Sequence, residues 1–145
     1  MEILEADLAI LVERIGQTPV LREHHVWEAA RCLSIDLRDR RSSTRRFAEL
    51  IAAGALLDAV MLLIALTEPQ RLVSGIRNVD GRWLCTLQVA PMPTQRPVSA
   101  SRAAHQDLPA ALLTSLLLSF RQDHRGFRGQ AGATPATMQQ ERPAP

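Results

Sequence analysis

Two consecutive stretches decide the fold: FAELIAAGALLDAVMLLIAL, residues 47–66, and RLVSGIRNVDGRWLCTLQV, residues 71–89. The first carries only Glu49 and Asp58 as charges. Steps of three and four set Phe47, Leu50, Ile51, Gly54, Leu57, Met61, Ile64 and Ala65 along one broad helical stripe, with Leu56, Val60 and Leu63 on a second flank. A helix apolar on most sides is expected between other elements rather than on a surface. Gly54 marks a bend or a break into two helices, because mid-helix glycine costs about 0.5–1 kcal/mol relative to alanine. Asp58 interrupts the apolar run, so neither half approaches the ~20 residues of a bilayer span, and the stretch reads as a buried helix with no membrane span. Pro69 ends it.

The second stretch has period two. Asp80-Gly81 is a two-residue hairpin signal, because a type I′ turn needs positive φ at both central positions. The turn sets a register in which Val79 faces Arg82, Asn78 faces Trp83, Ile76 faces Cys85, Ser74 faces Leu87 and Leu72 faces Val89. Leu72, Ile76, Trp83, Cys85, Leu87 and Val89 then share one face, and Val73, Arg77, Arg82, Thr86 and Gln88 the other. An isolated hairpin is marginal in water, so its apolar face is expected to pack on the helix before it.

An apolar helix of A-x-L-x-x-A type, then Asp80-Gly81-Arg82-Trp83-Leu84-Cys85, then a helix opening at Asp107-Leu108-Pro109, resembles small uncharacterised bacterial proteins with a D-G-x-W-x-C hairpin. The resemblance spans roughly Phe47 to Gln122. It implies the helix–hairpin–helix architecture and carries no functional site with it.

Outside that unit, residues 2–15 read as a helix with Leu8, Leu11 and Ile15 on one side and Gly16 at its end. It either lies on the protein's own core or forms a short seam between two subunits. Thr18-Pro19 reads as a helix start, leading to a helix from Pro19 to about Leu37. Cys32 to Leu37 also alternates, so a short strand there is the other option. Pro91 to Gln106 reads as a loop. Asp107 caps a last helix with Leu112, Leu113, Leu116, Leu117 and Phe120 on its stripe. From Asp123 onward the composition is Gly, Gln, Pro, Ala and Arg and reads as disordered. The expected organisation is an N-terminal helical segment over 1–41, a helix–hairpin–helix core over 42–122 and a disordered tail over 123–145. The fold class is α+β, mostly helical, with about four helices and one antiparallel hairpin packed on the central helix.

The chain has 145 residues, which one domain accommodates. Aromatic content is 3% with no tyrosine, which argues against a base-stacking surface. All seventeen basic residues are arginine and the net charge is +2. Acidic residues dominate the first thirty positions, and arginines dominate the twenty that follow. Arg38, Arg40, Arg41, Arg45 and Arg46 form the densest cluster. It reads as a solvated linker and first helical turn, or as a contact for phosphates or an acidic partner. Arginine in a first turn opposes the helix dipole, which adds weight to the second option without displacing the first.

Cys32 and Cys85 are too few for a disulfide framework, and Cys85 falls on the apolar hairpin face as a core thiol. His24 and His25 are adjacent, so they point different ways and are expected in solvent. No zinc spacing, phosphate loop, dinucleotide fingerprint or nucleophile elbow is present, so no catalytic residue, metal or cofactor is expected. The N-terminus lacks a basic, apolar leader, and the cytoplasm is the default location. These readings favour a non-enzymatic protein-interaction module with a protein partner or a second copy of itself. The alternatives are a nucleic-acid-binding protein using the Arg38–Arg46 cluster and a small thiol-dependent enzyme.

Overall fold

The computed structural model describes residues 2–35, 42–67, 70–89 and 100–132. Eight elements follow in order: α1 (Glu2–Gln17), α2 (Glu23–Cys32), α3 (Ser42–Ala52), α4 (Leu56–Ala65), β1 (Arg71–Val79), β2 (Arg82–Val89), β3 (Ser101–His105) and α5 (Leu108–Gly132). The fold is α+β and mostly helical.

The 47–66 stretch is two helices. Gly54 sits at φ +74°. The Ala55 N–H donates to Leu50 C=O at 2.9 Å and the Gly54 N–H to Ile51 C=O at 3.0 Å, a pair of bonds that closes α3 as a Schellman motif. Helix α2 ends the same way with Ser34 in place of glycine, at φ +55°, and the Ile35 N–H on Ala30 C=O at 3.1 Å. Residues 32–35 are therefore a helix end and not a strand. The rest of that segment lies outside the described residues.

Three boundaries differ from the sequence reading. Helix α1 runs past Gly16 to Gln17, and Thr18 closes it by donating its N–H and its hydroxyl to Ile15 C=O at 3.2 and 2.9 Å. Thr18 thus serves the end of one helix and not the start of the next. Helix α2 begins later, behind an extended Arg22 whose N–H donates to His25 Nδ1 at 3.2 Å. At the other end of the chain α5 continues to Gly132, past the boundary at Asp123 where composition reads as disordered. A helix already nucleated upstream extends here although Gly126, Gly129 and Gly132 are poor helix formers. Residues 133–145 lie outside the described residues.

The sheet has three strands in the order β1-β2-β3, all antiparallel, rather than one hairpin. Asp80 and Gly81 have φ +52° and +80°, both positive as the turn requires. From the turn the pairs run Val79–Arg82, Asn78–Trp83, Arg77–Leu84, Ile76–Cys85 and Gly75–Thr86. A bulge at Ser74 then moves the register by one, giving Val73–Leu87, Leu72–Gln88 and Arg71–Val89. The expected pairs Ser74–Leu87 and Leu72–Val89 do not form, and Leu72 changes face. A bulge adds one residue to one strand, so the alternation beyond it inverts.

The inner face of the sheet meets α5, which packs mainly across β2 and β3, while α4 meets β1. The expected partner of the hairpin, the helix before it, meets β1, and the helix after it covers β2. Helices α1 and α4 lie on α5, α3 lies on α4, and α2 contacts α1 and α4. Leu8, Leu11 and Ile15 of α1, Val26 of α2, Phe47, Val60 and Leu63, Cys85 and Leu87, and Leu112, Leu113, Leu116 and Leu117 of α5 belong to one buried cluster. Trp27 stands edge-on to Phe47 with ring centroids 5.3 Å apart.

Candidate functional site

The arginine cluster is described only in part. Arg45 and Arg46 are exposed on the first half of α3, and Arg38, Arg40 and Arg41 lie outside the described residues. At the hairpin, Asp80 and Gly81 form the turn, Cys85 is fully buried, and Trp83 is half-buried against the core rather than enclosed. Asn78 Oδ1 accepts from Gly81 N–H at 3.3 Å and closes the turn. These hairpin residues build the sheet and bring no reactive group to the surface.

Burial pushes the Cys85 thiol up to about 11. Cys32 is also raised, by burial first and then by the negative charges of Asp7 and Glu28. A nucleophilic cysteine needs the opposite, an electropositive setting that favours thiolate. The thiol-enzyme alternative therefore finds no activated cysteine among the described residues.

His25 and His105 are both buried, against the expectation of solvent-facing histidines for the His24-His25 pair. The His25 ring is held below its usual value by burial first, then by the positive neighbours His24 and Arg14. In the neutral ring Nδ1 is free to accept from Arg22 N–H, so burial and the cap reinforce each other.

His105, at the end of β3, is fixed on both sides. Its Nδ1 accepts from Asp107 N–H at 2.9 Å, which leaves the proton on Nε2 to donate to Ile15 C=O at 3.0 Å. The Asp107 carboxylate accepts from Leu21 N–H at 3.0 Å, and Gln106 Nε2 donates to Pro19 C=O at 3.2 Å. Asp107 precedes the first helical residue, as expected, but its carboxylate bonds the α1–α2 connection. This polar junction pins the N-terminal helices to the start of α5. A cleft of about 230 Å³ beside it is lined by Gln17, Thr18, Pro19, Arg82, His105 and Gln106. The His105 ring and the Gln106 amide on its wall are engaged in these bonds.

Arg71 is the largest fully buried side chain, on the face of β1 turned to α5. Its Nε donates to Ser119 Oγ at 3.2 Å, and its guanidinium lies 3.8 Å from the centroid of the Phe120 ring. Sequence reading missed it because an arginine at a strand start normally faces solvent. The one signal was position: Arg71 stands two residues before Val73, on the inward side of the bulge.

A second cleft, of about 280 Å³, runs between α1 and α2, with Asp7, Ile10, Arg14, Glu28, Arg31 and Cys32 among its walls. Arg14 Nη1 and Nη2 donate to the Glu28 carboxylate at 3.0 and 3.4 Å.

The outer side of α4 is apolar. Leu57 and Met61, at 38% and 40% exposure, and the exposed Ala65 recur every four residues and form a stripe facing solvent. Asp58, the remaining charge on this helix, is also exposed, near the helix N-terminus where its charge suits the dipole. Among the described residues no helix is long and apolar enough to cross a membrane, and no group of three or more His, Cys, Asp or Glu is placed to hold a metal ion. Comparison with protein-family models, curated proteins and solved structures finds no match to this chain.

Proposed function

We propose that this chain is a small non-enzymatic protein-interaction module that docks the apolar face of a partner protein on the outer side of α4. The supporting observation is the stripe of Leu57, Met61 and Ala65 on a ten-residue helix whose one charged residue is Asp58. A surface helix normally carries a polar outer face, and an apolar helix is normally covered on all sides. Here α5, α3 and α2 cover the inner sides and leave the stripe open. Contiguous apolar surface rimmed by polar residues marks an interaction site.

The test uses an apolar fluorescent dye, 1-anilinonaphthalene-8-sulfonate, together with light scattering at micromolar concentration. The parent chain binds the dye. Met61→Glu with Leu57→Glu removes that behaviour while leaving the melting temperature close to the parent's, because both positions are exposed. A monomer that binds no dye overturns the reading.

A second reading is nucleic-acid binding, favoured by the exposure of Arg45 and Arg46 in the first half of α3. It requires binding to a generic oligonucleotide at about 50 mM salt that weakens steeply as salt rises, because phosphate contacts release counterions. Arg45→Gln with Arg46→Gln lowers the salt slope by about two. No binding at low salt removes this reading.

A further inference from the structure

The cleft between α1 and α2 has a charge layout that is its own complement. We infer that it is a two-fold interface between two copies of this chain, with their α1 helices antiparallel and Ile10 at the centre. This inference does not rest on the docking stripe of α4, which lies on a different element.

Asp7, Ile10 and Arg14 occupy one stripe of α1 at steps of three and four, and all three are exposed, Ile10 at 54%. Seven residues of helix rise about 10 Å, and Ile10 lies close to the midpoint of that span. A two-fold axis at the height of Ile10 therefore places Asp7 of one copy level with Arg14 of the other, twice. Helix α2 repeats the arrangement with the signs exchanged. The cleft brings Arg31 to the Asp7 end and Glu28 to the Arg14 end, where the bidentate Arg14–Glu28 pair confirms the juxtaposition. The same rotation sets Arg31 of one copy against Glu28 of the other. All four cross pairs are opposite in sign, and the two Ile10 side chains meet on the axis. An isologous interface requires this self-complementarity, and a chance arrangement of four charges does not generally supply it. The exposed edge strand β1 is a poorer candidate for self-pairing. Its exposed charged residue is Arg77, so the strand carries no charge pattern complementary to itself.

The test is a charge exchange on the full chain. In one variant the Asp7 end is reversed by Asp7→Arg with Arg31→Glu. In the other the Arg14 end is reversed by Arg14→Asp with Glu28→Arg, which keeps the internal ion pair with its polarity swapped. Sedimentation equilibrium at about 100 µM, a concentration suited to a weak interface, finds the parent dimeric at low salt and dissociating as salt is raised. Each variant alone sets like charges against each other in all four cross pairs and weakens association at least about 100-fold. Mixed one to one, the two variants restore opposite pairs throughout and form a heterodimer. Ile10→Asp, a single exposed change, also abolishes the dimer. A parent that stays monomeric at low salt overturns the inference. So does a parent dimer that both variants and Ile10→Asp leave intact, since association then uses another surface.

Discussion

The two edge strands of the sheet have opposite characters, and their sequences assign them the wrong way round. Strand β1 reads RLVSGIRNV and carries Leu72, Ile76 and Val79, yet all three are exposed. Strand β3 reads SRAAH, with no large apolar residue, yet Ser101, Ala103 and His105 are buried in strict alternation. The cause is the helix that follows. Helix α5 leaves β3 through the short Gln106-Asp107 connection and folds back across β3 and β2, reaching β1 at Arg71. Strand β3 is therefore covered along its length, while Ile76 on the inner face of β1 stays open, and Leu72 and Val79 point outward with their partners Gln88 and Arg82. Burial in this sheet follows the path of one helix more closely than the hydropathy of the strands. Close approach of α5 also explains the composition of β3, because the Ser101 hydroxyl donates to Ser115 C=O at 2.8 Å and leaves no room for a longer side chain.

Substitutions can break or sharpen this contrast. The largest effect is expected on α5 itself. Leu116→Ala, at a fully buried position, costs about 2–5 kcal/mol in a denaturant melt, through lost transfer energy and the cavity left behind. His105→Ala removes both ring bonds from the covered edge and leaves the Asp107 N–H without its acceptor, for a loss of about 2 kcal/mol in the same assay. Trp83→Ala comes next. Its ring is half-buried, so the loss falls below the 3–5 kcal/mol typical of a fully enclosed aromatic, at about 2 kcal/mol. Ile76→Thr on the open edge shifts stability by no more than about 0.5 kcal/mol, since the position is exposed and threonine keeps the β-branch. If Ile76→Thr destabilises as much as Leu116→Ala, the open edge is covered in solution and the contrast collapses.

The same contrast explains what could be read from the sequence. The Asp80-Gly81 turn, the pairs Val79–Arg82, Asn78–Trp83 and Ile76–Cys85 that follow from it and the break at Gly54 were legible, because each rests on backbone conformations that few residues adopt. The register beyond Ser74 was not. Nothing in the Val-Ser-Gly run distinguishes a bulge from a regular strand, and one extra residue inverts every face after it. Strand β3 was not legible because serine, alanine and histidine carry no apolar alternation. Their burial comes from contacts with α5, a helix later in the chain. The apolar helix pattern correctly anticipated burial of Phe47, Val60 and Leu63 and also anticipated cover for Leu57 and Met61, which the described elements do not provide. Of the candidate site, the chemistry of the arginines was visible as composition. The polar junction at His105 and the charge layout of the α1–α2 cleft depend on residues far apart in sequence and had no local signature.

The His105–Ile15 bond joins positions 90 residues apart, and Asp107 reaches Leu21 across 86. During synthesis α1 therefore leaves the ribosome long before the strand and helix that hold it. At typical elongation rates of 5–20 residues per second, that interval is about 5–20 s. Over that time Leu8, Leu11 and Ile15 have no partner on α5 to cover them. Docking of α1 on α5 is thus a late, long-range step in assembling the fold, closed by the polar junction only after β3 and the start of α5 are in place.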